Sequence, residues 1–184
     1  MTEAHRRKKD PEAVRAALLS AAGNIVLSEG LGAASTQAIA AAAGVTKGAF
    51  FHHFPTRAVL LMALFDSVLA DFENALAERM AKDPIQRGRF SRAYLDLSLE
   101  GGGDGDTYPL WTGLMADADL RAAWAAWLSN QIESHAATEP IVAAEIIRFA
   151  SDGVWLNHYA GIRPGDTQRL RSALVKILES EHDA

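Results

Sequence analysis

Apolar positions along this chain recur at steps of three and four residues, the spacing of one helical face, and no run alternates with the period of a strand. Over 11–29, Val14, Leu18, Ala21, Ala22, Ile25 and Val26 share one such face; Pro11 suits a first helical turn and Gly30 a left-handed ending. Ser35 is placed to cap a short second helix, with Ile39 and Ala40 on its inner side and Gly44 closing it. Thr46 repeats that capping for a third helix over 47–54, which must stop at Pro55 because proline disfavours helical geometry in the residue before it. Thr56 caps a long fourth helix, where Val59, Leu60, Leu64, Val68, Leu69, Phe72 and Leu76 keep the spacing to about Met80. Beyond Asp83-Pro84 the pattern predicts helices over 85–100, 108–115, 120–136, 140–159 and 167–179, with a glycine-rich break at 101–106 and Thr167 capping the last. With no hairpin signal and no repeat of fixed period, the expected fold is all-α.

Length and composition leave room for one core and a small appended domain: 184 residues, 49% of them hydrophobic. Cysteine is absent, which removes disulfides, thiolate metal sites and a cysteine nucleophile and fits a reducing compartment. The start, MTEAHRRKKD, is charged and leads into no signal-type apolar core, and no uncharged run approaches membrane-spanning length, so the expectation is a soluble, cytoplasmic protein without membrane partners. Charge is partitioned. Residues 1–57 hold seven Lys+Arg against four Asp+Glu, while residues 58–184 hold eleven against nineteen, so a head of +3 precedes a body of −8 within the net −5. Phosphates would attract one end only.

The stretch STQAIAAAAGVTKGAFFHHFPTR carries the chemistry that this charge suggests. Two short helices meet through alanines, a glycine supplies the turn, and Val45 fills the corner, which is the requirement of a helix-turn-helix. Its second helix would turn Thr46, Lys47, Ala49 and His52 outward, with Gly48 allowing close approach to DNA and Phe50 and Phe54 pointing inward. The pattern resembles the DNA-binding domain of the TetR family of repressors, through Ser35, Ile39-Ala40, Ala43-Gly44-Val45-Thr46, Lys47-Gly48, Phe51, His53-Phe54 and Thr56-Arg57. The resemblance implies that residues 1–56 form the DNA-binding domain and 57–184 a helical ligand-binding and dimerisation domain. It further implies that Ser35, Gln37, Thr46, Lys47, Gly48, Ala49, Phe51, His52 and Arg57 face DNA, Arg57 by binding phosphate. Where the family often has tyrosine, Phe51 lacks the hydroxyl, leaving ring packing against the backbone or a thymine methyl. The run His5-Arg6-Arg7-Lys8-Lys9 reads equally as a minor-groove arm or a solvated tail.

In the body, all four tryptophans, Trp111, Trp124, Trp127 and Trp155, lie among apolar helices. Phe90, Trp111, Met115, Trp124 and Trp155 are the expected ligand-contacting residues, and with Asp117, Asp119 or Asp152 nearby they would suit a hydrophobic or cationic aromatic inducer. Periodicity alone does not separate a filled core from a cavity. Ile141, Val142, Ile146, Phe149, Gly153 and Leu156, with Leu170, Leu174, Ile177 and Leu178, exceed what one small core needs and predict a homodimer through the last two helices. Bound to a palindromic operator, such a dimer would act as a repressor; a ligand-independent regulator or an activator is the alternative reading. A helical-bundle enzyme would want inward carboxylate and histidine pairs, but Glu133 and His135 sit two residues apart on different faces, so no catalytic residue, cofactor or metal site is expected. The GGGDGDT segment matches neither a phosphate loop nor a calcium loop.

Overall fold

In the computed structural model, residues 10–100 and 107–180 are described, and among them every element is helical. Two compact units divide between Asp66 and Ser67. The arm at 5–9 and the glycine-rich break at 101–106 lie outside the described residues.

The first unit, the head, begins with α1 (Pro11–Glu29), capped by the Asp10 carboxylate accepting from the Glu12 N–H. Gly30 ends it with a positive φ of 83°, but its ψ of 167° is extended instead of left-handed helical, so the chain leaves the helix sharply into a 3₁₀ turn, Leu31–Ala33. Both values together suit glycine alone. Then come α2 (Thr36–Ala42), α3 (Lys47–His53) and the start of α4 (Arg57–Lys82). Leu18, Ala22, Ile39, Phe50, Phe54, Leu60, Leu61 and Phe65 close the core of this unit, each at most 2% exposed. The boundary between units falls inside α4, beyond the division at 56/57 expected from the motif, because its first turns belong to the head core.

The second unit, the body, holds the rest of α4 with α5 (Arg89–Glu100), α6 (Thr107–Leu114), α7 (Ala118–His135), α8 (Ile141–Tyr159) and α9 (Thr167–Ser180). Residues 90–95 of α5 are all buried, which makes it the central helix: one side packs with Leu76 of α4 and the tryptophans of α7, another with Ala143, Ile147, Leu174 and Leu178 of α8 and α9. Arg171 of α9 donates through Nε (2.6 Å) and Nη2 (2.9 Å) to the two carboxylate oxygens of Asp96, a bidentate tie between α9 and α5.

Two of the differences from the periodic reading have a clear local reason. Residues 85–88 are a loop, because Asp83 accepts from the Ile85 N–H at 2.9 Å, Arg92 claims the carbonyls of Ile85 and Arg87, and Gly88 takes φ 71°. Asp166, not Thr167, caps α9, accepting from the Arg169 N–H at 2.8 Å.

Candidate nucleic-acid interface and ligand cavity

The turn between α2 and α3 is closed by its own backbone. The Gly44 N–H donates to Ala41 O and the Val45 N–H to Ala40 O, both at 3.0 Å, and Gly44 adopts φ 65°. This paired bonding ends a helix through a left-handed residue and sends the chain straight into the next one. Ser35 Oγ and Thr46 Oγ1 each accept, at 3.1 Å, the N–H three residues on, Ala38 and Ala49 respectively, so both short helices start on hydroxyl caps. Phe50 and Phe54 are buried, whereas Ser35, Gln37, Thr46, Lys47, Gly48, Phe51 and His52 are exposed and Ala49 half-exposed. Phe51 leaves 43% of its surface open, and the Lys47 ammonium lies 5.8 Å from its ring centre.

Arg57 has a job within the head that its expected phosphate contact did not include. Its Nε donates to Ala34 O and its Nη2 to Leu31 O, both at 2.6 Å. The guanidinium thereby ties the start of α4 to two carbonyls around the 3₁₀ turn, that of Leu31 accepting from the Ala34 N–H as well.

In the body, a cavity of about 410 Å³ opens beside Trp111 and Met115, Trp124 of α7, and Trp155 of α8, four of the five residues expected to touch a ligand. Phe72 of α4 also lines it and is the hub of its aromatic wall: its ring meets Tyr94, Trp111, Trp124 and Trp127 edge-on at 5.9, 6.4, 6.1 and 5.7 Å. The fifth expected residue, Phe90, is displaced from this site. It stacks on His135 at 4.9 Å and lines a separate cavity of about 240 Å³. Trp127 stands behind Trp124, stacked at 4.8 Å, with its Nε1 donating to Glu73 Oε1 at 2.5 Å.

Of the three candidate acids, Asp152 alone lines the main cavity. Asp117 caps α7 by accepting from the Asp119 and Leu120 N–H groups, and Asp119 is exposed in the first turn. Asp152 Oδ1 accepts from the Tyr94 hydroxyl at 2.7 Å. Burial pushes its carboxyl above the usual range, against the pull of that hydrogen bond and of Arg148. Tyr94 and Phe72 were missed as lining residues because both fit helical core spacing; only their place among tryptophans could have marked them.

The structural comparisons agree with this architecture. A TetR-family member from Streptomyces coelicolor A3 matches with a TM-score of 0.73 at 24% identity, covering 89% of this chain and 97% of that one. NalD, the secondary repressor of the MexAB-OprM multidrug efflux pump in Pseudomonas aeruginosa, matches at 0.69 and 23%, covering 95% and 100%. The multidrug binding protein EbrR complexed with malachite green matches at 0.69 and 22%, covering 89% and 96%. No curated protein matches the chain in sequence. The class defined is that of bacterial helix-turn-helix regulators with an all-α body. Residues 18–64 match the model for bacterial regulatory proteins of the tetR family, and residues 88–180 the tetracyclin repressor-like C-terminal domain; the chain belongs to the TetR family, DNA-binding regulators and not enzymes.

No helix among the described residues is long and apolar enough to cross a membrane.

Proposed function

We propose that the chain is a homodimeric repressor that grips a palindromic operator and is released from it by a hydrophobic or cationic aromatic molecule. The observation that carries this reading is the main cavity, walled by Trp111, Trp124 and Trp155 with the carboxylate of Asp152 in its lining. A cavity of about 410 Å³ is of small-molecule size. Its lining holds one carboxylate, Asp152, and one guanidinium, Arg121, whose Nη1 is taken up by the Met115 and Ala116 carbonyls at 2.8 and 3.0 Å. The ring edges and faces beside Asp152 are therefore the part that attracts flat cations by stacking and cation–π forces. Support for a second copy comes from α8, where Val142, Ile146, Phe149 and Leu156 stand 59%, 43%, 63% and 59% exposed along one stripe. Gly153 sits within that stripe, with open space where a Cβ would be. On α9, Leu174 and Leu178 are buried in the body's own core and Leu170 and Ile177 are half-buried against it, so α8 bears the apolar share of the dimer and α9 the polar flank.

On the head, Gln37, Thr46, Lys47, Ala49 and His52 form the groove-facing surface, with Phe51 packing against sugar or a thymine methyl. Helix α4 supplies Phe72 to the cavity wall and Leu60, Leu61 and Phe65 to the head core, so a ligand that moves Phe72 acts on a helix rooted in both units. Release then follows from a ligand that binds one conformation of the body better than the other.

Electrophoretic shift of palindromic DNA from the gene's own upstream region, with and without malachite green, tests the whole reading. Retarded DNA that the dye releases is the expected result; no shift at low salt defeats it, and a shift indifferent to every aromatic cation leaves a ligand-independent regulator. Lys47→Ala should weaken operator binding about tenfold and flatten the salt dependence by about one ion. Calorimetric titration of Trp124→Ala with malachite green should show at least about tenfold weaker binding, from loss of ring contacts with Trp111, Phe72 and Trp127, while unliganded operator binding persists.

A further inference from the structure

The two cavities of the body share a lining residue, Tyr94. Its ring lies against Phe72 of the main cavity on one side, at 5.9 Å, and against Phe90 of the smaller cavity on the other, also at 5.9 Å. Its hydroxyl is held by Asp152 of the main cavity, whose carboxylate also feels Arg148, a lining residue of the smaller one.

Size separates the roles of the two spaces. At about 240 Å³ the smaller cavity falls below the range of self-sufficient small-molecule sites, whereas the main one lies within it. Half of the smaller cavity's ten lining residues are apolar side chains outside the shared Tyr94: Phe90, Ile132, Ala136, Ile141 and Ala144. Its nearby polar groups are largely engaged: Glu139 accepts from the Phe90 N–H at 3.0 Å and the Ser91 hydroxyl at 2.5 Å, and Glu145 pairs with Arg148 at 3.6 Å. Such a space receives hydrocarbon more readily than a charged group.

We propose that the smaller cavity is a subsite for the alkyl arm of an elongated cationic ligand, whose aromatic head fills the main cavity and whose ammonium stands at Asp152 in place of the Tyr94 hydroxyl. The order aromatic head, cation, alkyl arm follows the order of the walls. Tyr94 is the gate between them: turning it aside costs its hydrogen bond to Asp152 and its ring contacts with Phe72 and Phe90. The ligand's positive charge restores a partner to that carboxylate, while its own rings and arm replace the packing. A head with a short cation leaves the gate shut; an arm opens it. This subsite rests on the aromatic-ligand reading of the main cavity and extends it to the class of aryl-alkyl quaternary ammonium compounds.

The test compares two probes by calorimetry on the full chain, naphthylmethyl-trimethylammonium and its dimethylhexyl homologue, which share head and charge and differ only in the arm. Wild type should bind the hexyl compound at least tenfold more tightly. Ala144→Phe, which fills the smaller cavity from a position that does not line the main one, should bring the ratio of affinities close to one while leaving the trimethyl compound unaffected. Tyr94→Phe, which removes the hydroxyl from the gate, should raise the ratio. Ala144→Leu fills less and should lower the ratio part-way, serving if the phenylalanine variant does not keep the wild-type helix content. An unchanged ratio in the Ala144 variants overturns the subsite, and a lowered ratio in Tyr94→Phe overturns the gate. Equal binding of both probes by wild type sinks the subsite alone, whereas no binding of either sinks the main-cavity reading with it.

Discussion

Phe149→Glu is expected to convert the protein from dimer to monomer at micromolar concentration and to lower operator affinity by at least about a hundredfold, with helix content unchanged. The side chain is 63% exposed in the single chain, so glutamate there disturbs no intramolecular core. In a dimer it would face its own symmetry copy, burying two carboxylates in an apolar stripe between Ile146 and Leu156. Loss of the second head removes the linkage that makes the second half-site contact intramolecular, which is where most of the affinity for a palindrome arises. Sedimentation velocity reads the first effect and an electrophoretic shift the second. A dimeric Phe149→Glu protein with full operator affinity would remove α8 from the interface.

The largest expected loss of stability is at Arg92. Its guanidinium is 11% exposed and donates through Nε to Asp83 Oδ2 (2.7 Å), Nη1 to Arg87 O (2.8 Å) and Nη2 to Ile85 O (2.6 Å), holding the α4–α5 connection against α5. Arg92→Ala should cost about 2 kcal/mol in urea unfolding, because it leaves a half-buried carboxylate without its ion pair and two carbonyls without their donor. Lysine keeps the charge but not the fork and should recover only part of it. Burial raises the Asp83 carboxyl, yet hydrogen bonds from Arg92 and Ile85 and the attraction of Arg92 and Arg89 outweigh it and hold the group below its ordinary value. A carboxylate depressed in the folded state stabilises above its unfolded pKa, and that contribution fades as pH falls through the folded one. The gap between wild type and Arg92→Ala should therefore be full near neutrality and narrow in acid below the ordinary carboxylate range. A gap independent of pH would place the loss in packing and not in the ion pair.

The head was largely legible in the sequence because its signals are local. Ser35, Thr46 and Gly44 act on backbone groups three to five residues away, so their jobs follow from spacing, and the bonds they make are those the spacing implied. Arg57 was not legible in the same way: its partners Leu31 and Ala34 lie more than twenty positions back, and only the folded head brings them together. The cavity has the same asymmetry. Tryptophan is conspicuous by size and rarity, which brought Trp111, Trp124 and Trp155 to notice, while Tyr94 owes its role to a carboxylate on another helix. Phe90 and Trp127 show the cost of counting aromatics: rings at equal helical spacing end on opposite sides of Tyr94 or one layer behind Trp124. On α9 the apolar stripe was visible, but a stripe does not say whether its own chain or a second copy covers it.

The concentration of every tryptophan in the body, three of them in one cavity wall and two stacked at 4.8 Å, makes the protein its own optical instrument. Its ultraviolet emission comes from the body alone, since the head has tyrosine and tryptophan nowhere within residues 1–66. Quenching by a coloured ligand therefore reports occupancy of the cavity without a label.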